Sequence, residues 1–147
     1  MTGPLDTEKR ALRAELRERR QQRSAAALEE AATGVRAQLD ALVTAHGVRS
    51  MSCFLSTTTE PGTREFIAAA VARGIRVLLP VTRADGLLDW AVAEEEGDTA
   101  EGLFGLPEPV GELLSPVAVN DVDLLVIPAA AVDTTGMRLG WGRGYFD

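Results

Sequence analysis

The stretch Leu124-Leu125-Val126-Ile127, followed a few residues later by Asp133-Thr134-Thr135-Gly136-Met137-Arg138-Leu139-Gly140-Trp141-Gly142-Arg143-Gly144-Tyr145-Phe146-Asp147, decides how this chain is read. The apolar run predicts a buried strand over Val122 to Ile127, closing on Pro128. A strand that empties into alternating glycines predicts a backbone that approaches something closely. Gly140, Gly142 and Gly144 carry no Cβ, so positive φ is open to them and their N–H groups can converge on an anion. Arg138 and Arg143 add two guanidinium forks suited to phosphate oxygens. The chemistry implied is phosphate binding, with a nucleotide as the first candidate. The same glycines also fit a plain tight turn between two elements. Their G-x-G-x-G spacing differs from the G-x-G-x-x-G of dinucleotide-binding turns, which also need a following helix and an acidic residue about 20 positions on.

At 147 residues the chain is one domain by size. A hydrophobic content of 46% with 25% charged residues is that of an ordinary soluble globular protein. There is no run of about 18 apolar residues, so no membrane span is expected. The opening Met1-Thr2-Gly3-Pro4-Leu5-Asp6 lacks the basic start and apolar centre of a signal peptide. The single Cys53 allows no internal disulfide and fits a reducing cytoplasm, the expected location. A net charge of −7 argues against general nucleic-acid binding. The charge is uneven: residues 1–23 hold seven basic against four acidic side chains, a balance of +3 that leaves −10 for the rest. Lys9 is the only lysine; the other 14 basic residues are arginine.

In chain order, Asp6 or Thr7 can cap a first helix running to about Arg20, with a thin apolar face at Leu12 and Leu16. Lys9 and Arg13, four apart, share one of its faces. Ser24 caps a second helix, Ala25 to about Ala45, with an apolar stripe through Leu28, Val35, Leu39 and Val43 and a stop at His46-Gly47. The only histidine then sits at a helix C-terminus and reads as a cap. Val48 to Leu55 alternates as a first strand, with Cys53 a small buried hydrophobe. A polar loop, Ser56 to Thr63, leads into a helix from about Thr63 to Arg73 with Gly74 as its stop. Ile75 to Pro80 is a second strand and Leu87 to Val92 a weaker third, in which Trp90 fits the core better than a ligand wall. Glu94 to Asp98 is an acidic turn, and the stretch from Gly102 to Pro109 reads as a surface loop. Strands alternating with helices predict an α/β domain of three layers, α/β/α, with a mostly parallel Rossmann-like sheet. Ligands then belong at the strands' carboxyl ends.

The wording of the glycine stretch goes further. Gly136-x-Arg138-Leu139-Gly140-x-Gly142-x-Gly144-Tyr145-Phe146-Asp147 resembles the signature of the 5-formyltetrahydrofolate cyclo-ligase family (5,10-methenyltetrahydrofolate synthetases), G-x-R-L-G-x-G-x-G-Y-Y-D after a strand ending in proline. Lys9-x-x-x-Arg13 is similar to the pair on that family's first helix that contacts ATP. Glu60-x-x-Thr63, five residues after Leu55, looks like its Glu-x-x-Thr element, whose glutamate contacts the pterin. Leu79-Pro80 and the segment from Gly102 to Pro109 also resemble family elements. The chain departs at Ala129, Val132 and Phe146, where the family has glycine, phenylalanine and tyrosine.

The resemblance implies ATP- and magnesium-dependent cyclisation of 5-formyltetrahydrofolate to 5,10-methenyltetrahydrofolate, with release of ADP and phosphate. It implies Lys9, Arg138 and Arg143 as the catalytic cations. ATP would meet these three with Arg13, Leu139, Gly140, Gly142, Gly144 and Tyr145. The folate would meet Leu55, Glu60, Trp141 and Tyr145, and Asp147 would be a magnesium ligand. Partners are the small molecules alone, with no nucleic acid, no membrane and a monomeric state. The resemblance runs from Lys9 to Asp147, whereas family members continue through a further helix and strand. The expectation is a single cyclo-ligase-like domain over 1–147 that lacks this C-terminal part. The alternative function is a truncated, non-catalytic folate- or nucleotide-binding homologue.

Overall fold

The chain is described by a computed structural model over residues 3–94, 99–101, 107–109 and 111–146. Two long helices lead. Helix α1 is Pro4–Gln21, with proline at a first-turn position where its missing N–H costs nothing. Gly3 takes the cap position in place of the expected Asp6 or Thr7, and its N–H reaches back to Asp6 Oδ2 at 3.4 Å. No residue of α1 is buried. Helix α2 is Ala25–His46. Ser24 Oγ accepts the Ala27 N–H at 3.1 Å, and Gly47 closes the helix at φ 58°, a left-handed conformation that glycine adopts freely.

Strand β1 (Ser50–Ser52), helix α3 (Arg64–Ala72) and strand β2 (Arg76–Thr82) form a βαβ unit with β1 and β2 parallel. Strand β3 (Leu88–Val92) returns antiparallel on β2. A small separate hairpin follows, β4 (Thr99–Glu101) with β5 (Pro107–Pro109). Strand β6 (Leu113–Leu114) joins the outer edge of β3, and a 3₁₀ helix, Pro116–Asp121, leads to β7 (Leu124–Leu125). Strands β8 (Ala131–Val132) and β9 (Arg138–Leu139) make a second hairpin. The main sheet runs β6-β3-β2-β1-β7, and β7 is parallel to β1. The α/β architecture expected from the sequence is the one observed: a parallel centre of β2, β1 and β7, extended by β3 and β6. Asp123 pins β7 to β1, its Oδ2 accepting the Arg49 and Ser50 N–H groups at 2.9 and 3.3 Å. Those two amides hold its carboxyl below the usual range.

Alternation along the strands fills both faces of the sheet. Met51, Cys53, Val77 and Leu79 meet Val43 of α2 and Phe66, Ile67 and Ala70 of α3 on one face. Leu78, Leu88 and Trp90 form the other cluster, covered by Ala118, Val119 and Val122 and by Tyr145 and Phe146. Trp90, 4% exposed, is therefore core. Cys53 is wholly buried, and burial pushes its thiol up to about 11. Among the described residues no helix is long and apolar enough to cross a membrane.

Candidate functional site

One proline opens the site. The β1–β2 ladder runs to the Cys53 N–H, which bonds Leu78 O at 2.9 Å. The next rung would need an N–H on Pro80, and proline has none. On its other side β2 loses nothing. Pro80 faces Trp90, and the rungs to β3 run through Val77–Ala93 and Arg83–Leu87, so Pro80's nitrogen points toward β1. Strand β2 thus continues to Thr82, past the Pro80 end expected from the sequence, while β1 stops at Ser52, short of the expected Leu55. The chain separates after β1, and a crevice opens at the carboxyl ends of parallel strands.

The loop leaving β1 is closed on itself. Thr63, 2% exposed, donates its hydroxyl to Phe54 O at 2.6 Å and accepts the Ser56 N–H at 3.1 Å. Ser56 Oγ accepts the Thr63 N–H at 3.0 Å. Inside this ring Glu60 Oε1 accepts the Thr57 N–H at 2.8 Å. The threonine of the Glu-x-x-Thr element therefore builds the loop, and its glutamate is presented by it. A second wall comes from β5. Glu108, 9% exposed, accepts both the N–H and the hydroxyl of Thr82 at 2.8 and 2.5 Å, fixing the end of β2.

The glycine stretch forms the third wall. Asp133 Oδ1 accepts the Thr135 and Met137 N–H groups at 2.8 and 2.9 Å, shaping the β8–β9 turn with Gly136 at φ 88°. Arg138 folds back over the loop that follows, donating to Pro128 O at 2.9 Å and Phe146 O at 3.3 Å. A Cβ on Gly140 would lie 3.1 Å from that guanidinium. Gly142 and Gly144 take φ 98° and 77°. Tyr145 donates its hydroxyl to Arg83 O at 2.7 Å, anchoring the loop to the β2–β3 turn.

Helix α1 lies against this wall. Arg13 Nε donates to Gly140 O at 2.8 Å, across 127 residues of sequence. Arg17 and Arg20 place their guanidinium carbons 5.2 and 4.5 Å from the Trp141 ring centroid, within cation–π range. Arg20 also donates to Thr59 O at 3.3 Å and pairs with Glu60 at 3.6 Å. Burial lowers the Arg20 pKa from its ordinary value, with Glu60 pulling the other way.

Together these walls enclose a cleft of about 760 Å³. Every residue expected to meet ATP or the folate lines it, and Asp147, expected to meet magnesium, lies outside the described residues. Lys9 and Arg13 come from α1, Leu55 and Glu60 from the β1 loop, and Arg138 to Tyr145 from the glycine stretch. One balance differs from expectation: Arg13 and Arg138 both donate to backbone carbonyls of the loop, so they shape it as well as charging it. Sequence reading missed Arg17, Arg20, Thr82 and Glu108, which also line the cleft. A signal for the arginines was present, since 9, 13, 17 and 20 follow one helical face. Glu108 lies in the Gly102 to Pro109 segment, which resembles a family element but reads as a surface loop, whereas it is buried on β5; nothing local marked Thr82. Among the described residues no three His, Cys, Asp or Glu side chains come together as a metal-holding group. Glu60 and Glu108 are already engaged by Arg20, Thr57 and Thr82.

Comparison with known proteins shows what the chain is similar to. The family model for the 5-formyltetrahydrofolate cyclo-ligase family matches residues 6–147. The chain is 34% identical over 104 residues to the 5-formyltetrahydrofolate cyclo-ligase of Mycolicibacterium smegmatis, covering 67% of this chain and 53% of that protein. It is 30% identical over 108 residues to the same-named protein of Escherichia coli K12, covering 72% and 58%. The chain spans about half the length of the curated relatives it matches. Its fold is similar to the solved structures of 5,10-methenyltetrahydrofolate synthetases from Aquifex aeolicus (TM-score 0.75, 24% identity, 94% of this chain and 69% of that one) and Mycoplasma pneumoniae (TM-score 0.71, 19% identity, 94% and 74%).

Proposed function

The chain belongs to the 5-formyltetrahydrofolate cyclo-ligase family, and from that premise we propose that its cleft binds ATP and 5-formyltetrahydrofolate and closes the folate to 5,10-methenyltetrahydrofolate, releasing ADP and phosphate. The observation that carries this reading is the Arg13–Gly140 contact, which seats the Lys9/Arg13 face of α1 on the glycine loop. Two basic groups four apart on a helix and a glycine-rich backbone make one cationic pocket only in this arrangement.

A formamide oxygen leaves poorly. Transfer of the γ-phosphoryl group to that oxygen gives an imidate phosphate, and the neighbouring folate amine nitrogen can then attack the same carbon and expel phosphate. Phosphoryl transfer asks a protein chiefly for positioning and for neutralisation of charge. Lys9, Arg13, Arg138 and Arg143 supply positive charge, and glycine N–H groups face the phosphates. Glu60, Leu55, Trp141 and Tyr145 hold the folate, the carboxylate accepting hydrogen bonds from the aminopyrimidine edge. No side chain need act as a covalent nucleophile. Magnesium would arrive with the phosphates, needing only one or two protein carboxylates. Asp147 is the residue proposed for it, and the described side chains do not by themselves make a magnesium site.

The test is Mg·ATP-dependent formation of methenyltetrahydrofolate by this 147-residue chain, with Lys9→Ala and Arg138→Ala beside it. Turnover lost in both folded variants supports the assignment, and unchanged rates in both would sink it. Folate or nucleotide binding without turnover would mark the alternative, a non-catalytic binding homologue.

A further inference from the structure

We propose that Arg20 is a positioning residue: its guanidinium clamps the Glu60 loop to the glycine loop and so sets the carboxylate that meets the folate. The meaning for ligands rests on the function proposed above; the clamp itself rests on geometry. Arg20 makes three contacts on two segments, the Thr59–Glu60 loop and the glycine loop. Its Nη2 lies 3.6 Å from Glu60 Oε2, its Nε–H donates to Thr59 O at 3.3 Å, and its guanidinium carbon lies over Trp141, 4.5 Å from the ring centroid. The Arg20 side chain is 18% exposed and that of Glu60 13%, so little water screens the pair.

Only arginine meets all three demands. The in-plane edge of a guanidinium carries its N–H donors while its face stacks on an aromatic ring. A lysine ammonium can satisfy the carboxylate but not the carbonyl and the ring together. Glu60 is fixed from both ends in consequence, Oε1 by the Thr57 N–H and Oε2 by Arg20. Arg17, also within reach of Trp141, is exposed and has no such second contact among the interactions described. The phosphate-facing half of the cleft is joined to α1 by a different residue, Arg13. Substitution of Arg20 should therefore act on the folate half first.

The experiment uses the whole chain in two arms. In the ligand-free arm, amide hydrogen exchange compares wild type with Arg20→Met, which keeps much of the apolar stem. Amides of Thr57 to Glu60 and of Trp141 and Gly142 should exchange faster together, with β2 and α3 unchanged. In the ligand arm, titration calorimetry with 5-formyltetrahydrofolate should show about tenfold weaker binding for Arg20→Met, the size expected for a lost charged contact. Mg·ATP affinity should change by less than about twofold, Glu60→Gln with Arg20→Met should cost less than the sum of the two single changes, and Arg20→Lys should recover part of the folate affinity. Unchanged exchange in either loop overturns the clamp, as does folate affinity of Arg20→Met equal to wild type. If the wild-type chain binds neither ligand, the proposed function fails, and the exchange arm still decides for or against Arg20.

Discussion

Helix α1 and the β1–α3–β2 unit border the same cleft and are held in opposite ways. The βαβ unit is locked by burial: Phe66, Met51, Val77 and Leu78 are at most 1% exposed, and Thr63 bonds its own loop shut. No residue of helix α1 is fully buried. Among the contacts described, it meets the rest of the chain through Arg13, Arg17 and Arg20, on a carbonyl, an aromatic ring and a carboxylate. One wall of the cleft is thus a scaffold, and the other is a helix attached through charge. The difference teaches that ligand affinity and fold stability should separate here, because they draw on different residues.

The sharpest way to break that separation is in the core. Phe66→Ala should cost about 3–5 kcal/mol, lowering the thermal midpoint and taking ligand binding with it; a small shift would mean that α3 is not the scaffold. Next comes the buried thiol. Cys53 is raised from 9.0 to about 11 by burial, so its neutral form is the one the fold accommodates. The stability it allows is complete below pH 9.0 and is lost as pH rises through about 11, on the order of 3 kcal/mol. Chemical denaturation across that window measures it, and Cys53→Ser should flatten the alkaline decline.

Gly142→Ala tests the attached wall. Its φ of 98° strains any side chain, and the new Cβ would lie 3.4 Å from the Arg13 guanidinium. A local cost of about 1–2 kcal/mol should appear as roughly tenfold weaker Mg·ATP binding with the thermal midpoint nearly unmoved. The smallest effect is salt. Raising ionic strength from about 0.1 M to about 1 M shortens the screening length from about 10 Å to about 3 Å. Amide exchange in α1 should rise a few-fold while that of β2 and α3 stays constant. Equal response in both regions would remove the contrast.

Much of this was legible in advance because it is local. Ser24 and Gly47 bound α2, a continuous apolar run marks β2, and the glycine spacing marks the loop, each within a few residues of chain. The short strands β8 and β9 were less so: two residues carry too little period to read, and their pairing is set by partners elsewhere. The β1 loop shows the same limit from another side. Glu60 and Thr63 were both noticed as a motif, but their division of labour, one presented and one building, needed the hydrogen bonds. The buried strand expected over Val122 to Ile127 is in fact the two-residue β7, with Leu125 and Ile127 exposed at the sheet edge.

The amino-acid sequence alone determined the α/β class, both ends of α2 and the family, because caps, periodicity and an ungapped glycine motif are properties of neighbouring residues. Tertiary structure alone decided where the cleft opens and what closes it. Pro80 ends a ladder only because β1 is the strand beside it, and Glu108 reaches Thr82 only because β5 folds back on β2. Arg13 finds Gly140, and Arg20 finds Glu60 and Trp141, across separations that sheet register bridges and that local pattern cannot see.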